Sequence, residues 1–297
     1  MLGRAWEHRP RQRLRLMQET STTRERPRGL QMTLPAKAEN VAVVRHALAG
    51  LAEEIGMDEA GIADLKTVVT EACMNVALHA YQGKSGPLSV EARPDDEGLT
   101  VTVRDEGVGI RPQADSDRDS LRLGLSLIAA LSASFAISGG LNRGTEVTMR
   151  LPLRGGAAGS IDGEPMKFEA ETGDVTELVT DAPELLSPVL ARVVAALAAR
   201  SDLSVDRVSD AVLITDAIAA AAPSRFADGS VRLGLDDSGE GIALRIGPMD
   251  SGAAQRIREE LEVPDVGGSL EVLADELTVE ESSGGEYLTV RFAAVTI

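Results

Sequence analysis

One cysteine and three histidines in 297 residues leave little to build a soft-ligand metal centre from. Cys73 has no thiol partner, which excludes disulfides and cysteine zinc clusters and fits a reducing, cytoplasmic compartment. His8, His46 and His79 are too scattered to form a ligand set, so any bound metal is expected to be oxygen-ligated, as magnesium is. Long apolar runs are also missing. The best candidate, AVLITDAIAAAAP, carries Asp216 and stops at Pro223, so it reads as a buried helix and not a membrane span.

Positive charge is scarce outside the N-terminal head. The formal net charge is −17, yet residues 1–32 hold eight arginines against Glu7, Glu19 and Glu25, a net of +5 that leaves −22 for the rest. The acidic body should repel nucleic acid, so no direct nucleic-acid partner is expected. The head itself reads as a disordered basic segment, or as sequence upstream of a start at Met32. A nucleic-acid or membrane-surface arm and an amphipathic transit segment are the alternatives.

What is present is a repeated syntax. ENVAVVRHALAGLAEEIG has apolar residues at Val41, Val44, Leu48, Leu51 and Ile55, a helical period that stops at Gly56. A second helix is expected over 58–81, a hairpin over LSVEARPDDEGLTVTVRDEG, a third helix over 121–131, and a closing hairpin over FAISGGLNRGTEVTMRLPL. Helices and strands segregated in this way predict an α+β, two-layer sandwich with helices on one face of a mixed, mostly antiparallel sheet. This first domain is placed at 33–153, followed by a glycine-rich linker at 154–165. Over 166–297 the same order of elements returns, at a spacing of about 140 residues, which marks a duplicated domain and not a solenoid. The second copy has lost polar residues. Ile214 and Ile218 are expected near the places of Glu71 and Asn75, and Pro248 at that of Asp105.

Those polar residues belong to a series of boxes. In TVVTEACMNVALHAY, Glu71, Asn75 and His79 recur every four residues, on one stripe of an otherwise apolar helix. RDEGVGI then supplies Asp105, Gly107 and Gly109, LGLSLIAAL supplies Gly124 and Leu125, and RGTEV supplies Gly144 and Thr145. Singly, each is an ordinary turn or a solvated helix face. Four in order on a compatible scaffold describe a pocket for a metal-bound nucleotide. Asp105, ending a strand, can accept from an exocyclic amine, which favours adenine over guanine, and Gly107 and Gly109 let backbone approach a ligand closely. Asn75 can offer its amide oxygen to magnesium, and Glu71 can take a proton from a hydroxyl or water attacking the γ-phosphate. Gly124 opens a helix whose N-terminus suits phosphate, with Arg118 and Arg122 as candidate charge partners. His79 is either a pocket residue or a helix-end histidine paired with nearby carbonyls, and Cys73 is core packing.

Residues 64–153 resemble the GHKL ATP-binding superfamily, specifically its anti-sigma-factor serine/threonine kinase branch. LKTVVTEACMNVALHAY is similar to that branch's N box, RDEGVGI to its first glycine box, LGLSLIAAL to the second and RGTEV to the last. The resemblance implies a Bergerat fold, ATP with Mg2+, and phosphorylation of an anti-anti-sigma-type partner alternating with capture of a sigma factor. It makes Glu71 the base, Asn75 the metal ligand, Asp105 the adenine contact and Thr145 a second adenine contact through water. His79, Gly107, Gly109, Arg122, Gly124, Leu125 and Gly144 complete the nucleotide-binding set it implies. Two features depart from the pattern: Arg122 stands where a second glycine is common, and the stretch between Ile110 and Leu121 is short for a lid. That stretch favours an alternative, a non-catalytic ATP-gated binding module. The second copy is expected to be a nucleotide-free protein-contact surface, packing as a pseudo-dimer mate or hanging as an independent bead on the linker, with a homodimer also possible.

Overall fold

A computed structural model describes residues 29–109, 124–140, 143–153, 175–181, 183–198, 201, 203–222, 225–227, 229–236, 241–263, 268–269, 273–282 and 284–293. The chain divides into two compact units, one of Arg28–Thr172 and one built around Gly173–Ile297. Among the described residues, no helix is long and apolar enough to cross a membrane.

In the first unit, β1 (Leu30–Pro35) leads into α1 (Asn40–Glu54) and α2 (Glu59–Asn75), and α2 is extended by a π-helical turn, Val76–Ala80. The strands β2 (Pro87–Pro94) and β3 (Gly98–Asp105) follow, then α3 (residues 124–131), β4 (Ser134–Gly139) and β5 (Thr145–Pro152). The strand order is β4-β5-β3-β2-β1, and each of these pairings is antiparallel. This is the α+β arrangement expected, with both hairpins in place.

The local reasons are legible. Asp58 caps α2 by accepting the Gly61 N–H at 2.8 Å, and Leu65, Val68, Val69, Ala72 and Cys73 give that helix one buried stripe. Leu99, Val101 and Val103 line one face of β3 with at most 1% exposure. Burial of this kind is worth roughly 1.5–3 kcal/mol per large aliphatic side chain. The other sheet face is polar and paired across strands: Thr102 with Thr148 at 3.2 Å, Arg104 with Glu146, and Arg150 with Asp95 at 2.7 Å.

One boundary differs from expectation. Leu30 and Met32 belong to β1, inside the segment read as disordered, because Leu30, Met32 and Leu34 alternate into the core at 1% exposure each. Three apolar residues behind an arginine-rich head are too short a pattern to stand out in the sequence. The third helix, expected from Leu121, is described from residue 124 onward, and residues 121–123 lie outside the described residues.

The second unit repeats the plan. β6 (Thr176–Thr180) and a 3-10 turn (Pro183–Leu185) precede α4 (Leu186–Ala198) and α5 (Val205–Ala221), followed by β7 (Val231–Asp236), β8 (Gly241–Met249) and α6 (Ala253–Glu260). A small ladder of β9 (Glu262–Val263) with β10 (Gly268–Ser269) comes next, and β11 (Glu276–Ser282) and β12 (Gly285–Ala293) close it. Its order is β11-β12-β8-β7-β6, again antiparallel, which matches the first unit strand for strand.

Candidate functional site

Period-two alternation along β3 places Asp105 on the same face as Leu99, Val101 and Val103, so the carboxylate is drawn into the apolar layer at 5% exposure. That burial pushes its pKa up, while hydrogen bonds from the Gly107 N–H and from the backbone and hydroxyl of Thr145 pull it down. The Gly107 bond is 2.8 Å long. Gly144 enters β5 at φ +70°, and a Cβ there would stand 2.0 Å from the Asp105 carbonyl oxygen, so only glycine permits this approach. Gly144 N–H also donates to the Gly107 carbonyl at 3.2 Å, and Gly109 packs against the Gly140 carbonyl. Asp105, Gly107, Gly109, Gly144 and Thr145 thus form one cluster.

A second cluster sits along α2. Glu71 and Asn75, one turn apart, lie off the buried stripe and are half-buried. Gly124, at the described start of α3, faces both: a Cβ there would stand 2.8 Å from Glu71 Oε2 and 3.6 Å from Asn75 Nδ2. Leu125 follows it, half-buried, and His79 is half-buried one turn beyond Asn75 in the π turn. Arg118 and Arg122 lie outside the described residues. Cys73 belongs to the stripe and is fully buried, and burial pushes its thiol up to about 12, so it is no nucleophile.

The end of the α2 helix ties the two clusters together. The Ala80 carbonyl accepts the Val108 N–H at 2.9 Å, and the Tyr81 hydroxyl accepts the Glu106 N–H at 2.8 Å. Gly107 packs so close that a Cβ would reach within 2.1 Å of the Ala80 oxygen. Tyr81 went unassigned in the sequence, where its place directly after the polar stripe is its only signal.

The residues present fit a magnesium nucleotide. Asp105 is a nearly buried acceptor at one end, and Asn75 offers an amide oxygen at the other, beside Gly124. Among the described residues no three His, Cys, Asp or Glu side chains gather as a metal cage. Magnesium is usually held by one or two protein oxygens plus phosphates and water, and the Asn75 amide oxygen is a donor of that kind.

The second unit keeps the scaffold and not the groups. The helices α2 and α5 are both 17 residues long, capped by Asp58 and Ser204 respectively, and aligning the caps puts Ala217 at the place of Glu71 and Ala221 at that of Asn75. Ile214 and Ile218 therefore do not stand at those places. They fall three residues earlier, at 0% exposure, where the first unit has Val68 and Ala72. The sequence period alone slipped by almost one turn because the loops between repeats differ in length. Pro248 follows Gly241 at the spacing that separates Asp105 from Gly98. At the place of Thr145 stands Glu286, whose carboxylate accepts the Gly252 N–H and, at 3.0 Å, the Ala254 N–H at the start of α6.

Residues 34–151 match the family model of the histidine kinase-like ATPase domain. Over 84 residues the chain is 37% identical to the serine-protein kinase RsbW of Bacillus cereus (strain Q1), a match covering 28% of this chain and 52% of that protein. The same figures hold for the serine-protein kinase RsbW of Bacillus thuringiensis subsp. konkukian (strain 97-27). The chain spans about half the length of the curated relatives it matches. The first unit carries a histidine kinase-like ATPase domain of the GHKL type, and its similarity lies with the serine-kinase branch.

Proposed function

Proceeding from that domain, we propose that the chain is an ATP-dependent serine/threonine protein kinase. Its substrate would be an anti-anti-sigma-type protein, with a sigma factor as the alternate partner, in the cytoplasm. The observation that carries the reading is the close approach of Gly124 to Glu71 and Asn75, which sets the described start of α3 against a candidate base and a candidate metal ligand. Asp105 and Thr145 would hold the adenine, and Asn75 the magnesium, which would neutralise the phosphates when bound. Glu71 would accept the proton of the partner's serine or threonine hydroxyl as its oxygen bonds to the γ-phosphorus of ATP, the bond from that phosphorus to the β–γ bridging oxygen breaks, and ADP leaves while the partner keeps the phosphate as an ester. Gly124, lacking a side chain, lets the described start of α3 come close to both groups, where a Cβ would stand 2.8 Å from Glu71 Oε2.

The second unit would serve as a nucleotide-free protein-contact surface. Alanines at the places of Glu71 and Asn75, a proline at that of Asp105, and a helix N-terminus already occupied by the chain's own Glu286 support that role. The short stretch between Ile110 and Leu121 favours the second reading, a binding module that ATP gates without transfer. Incubating the full chain with γ-labelled ATP and an anti-anti-sigma-type protein separates the two. Label on a partner serine or threonine supports the kinase, and ATP-dependent partner capture without label supports the module.

A further inference from the structure

Tyr81 closes the first of the four boxes without a role assigned to it there, and it joins the two halves of the candidate site. Its hydroxyl donates to the Pro87 carbonyl at 2.5 Å and accepts the Glu106 N–H at 2.8 Å, so one oxygen fixes the backbone immediately after Asp105. The ring is seated by Gly86, where a Cβ would fall 2.1–2.3 Å from three ring carbons. We propose that Tyr81 is a positioning residue that aims Asp105 and thereby sets the preference for adenine over guanine, an inference that rests on the nucleotide-binding reading above.

The argument is geometric. Asp105 takes its direction from the turn that follows it, since its own Oδ1 is tied to the Gly107 N–H. That turn hangs on three bonds: Glu106 N–H to Tyr81, Val108 N–H to Ala80, and Gly144 N–H to Gly107. Two of the three anchors come from consecutive residues at the end of the helix that bears Glu71 and Asn75. Ala80 contributes through its backbone, so no substitution removes its bond, and Tyr81 is the side chain on which the spacing depends. Burial pushes the Tyr81 hydroxyl up to about 12, which keeps its proton on and its donation to Pro87 intact through the neutral range. With the hydroxyl gone, the Glu106 N–H loses its partner and the turn can rotate, carrying the carboxylate off the line of an exocyclic amine.

The test compares ATP and GTP affinities, each with magnesium, by calorimetry on the full chain and on Tyr81→Phe. Loss of this hydrogen bond and of the turn's aim predicts roughly 10-fold weaker ATP binding. GTP has no six-position amine for Asp105 to select, so its affinity should hold and the ATP-to-GTP ratio should narrow by the same factor. General loosening of the fold would lower both ligands together and leave the ratio alone, and that outcome overturns the proposal, as does unchanged ATP binding. Gly86→Ala is the second variant, because it keeps the hydroxyl but displaces the ring, and it should narrow the ratio in the same direction. A wild-type chain that binds no ATP would overturn the nucleotide reading and this inference with it. A wild-type chain that binds ATP while both variants keep its selectivity would overturn this inference alone.

Discussion

The two units share a strand order and a pair of 17-residue second helices, yet they treat the seam between helix and sheet in opposite ways. In the first, the seam holds a buried carboxylate, Asp105, and a half-buried Glu71 and Asn75 beside a glycine. In the second, the equivalent helix positions are Ala217 and Ala221, the strand position is Pro248, and a buried carboxylate, Glu286, is spent on the chain's own helix terminus. A fold of this kind therefore does not need the polar groups to assemble. They are a cost that the first unit carries, and a carried cost of this sort points to ligand chemistry.

The largest effect expected from breaking that difference is on transfer. Glu71→Ala should lower phosphoryl transfer by roughly 100-fold or more while leaving Mg-ATP affinity within a few fold, the usual scale for a positioned general base. Single-turnover transfer and calorimetry on the same preparation decide it, and a variant that transfers normally removes Glu71 from the base role.

Asp105→Asn should weaken ATP binding by roughly 10-fold or more, because an acceptor becomes a mixed donor and acceptor. It should not cost stability. The Asp105 pKa is raised in the folded chain, so the fold binds that proton more tightly than the unfolded chain does, and stability falls as pH rises from the ordinary aspartate value through the raised one. Above the raised value that penalty is fully present, and the neutral amide removes it. Thermal melts of the ligand-free chain across pH 3 to about 8 should show the variant melting no lower than the parent at neutral pH and losing its advantage on acidification. A lower neutral melting temperature would show that Asp105 supports the fold instead of taxing it.

Stoichiometry sharpens the comparison further. Calorimetry should find about one Mg-ATP per chain, and the Asp105→Asn chain should show no second class of sites, since a ligand that binds only the folded state would otherwise reveal itself as a melting shift. Two equivalents would restore nucleotide chemistry to the second unit. The smallest effect belongs to Glu286→Gln, which weakens a charged cap on α6 and should cost about 1 kcal/mol of stability with ATP affinity unchanged. A change in ATP affinity would mean that Glu286 reaches the first unit's chemistry.

Much of the first unit could be read directly. The apolar periods of α1 and α2, both hairpins and the four boxes follow from spacing, because side-chain direction repeats every 3.6 residues in a helix and every two in a strand. β1 could not be read so, since three alternating residues carry too little pattern. Nor could the register of the second unit, where counting by sequence period chose the buried Ile214 and Ile218 over Ala217 and Ala221. A period averages over loops of unequal length, whereas the caps at Asp58 and Ser204 fix where each helix begins.

The sequence by itself determined which residues share a face: Glu71 with Asn75 and His79 on one helix, Asp105 with Leu99, Val101 and Val103 on one strand. Only the tertiary structure decided that Gly124 closes on Glu71 and Asn75, that Asp105 is buried with Thr145 and Gly107 as partners, and that Tyr81 holds the turn beside it. The reason is the range of the forces involved. Backbone geometry imposes a face locally and leaves a periodic trace, whereas the meeting of distant segments depends on how whole elements pack, and a single glycine or tyrosine at such a junction repeats nowhere in the chain.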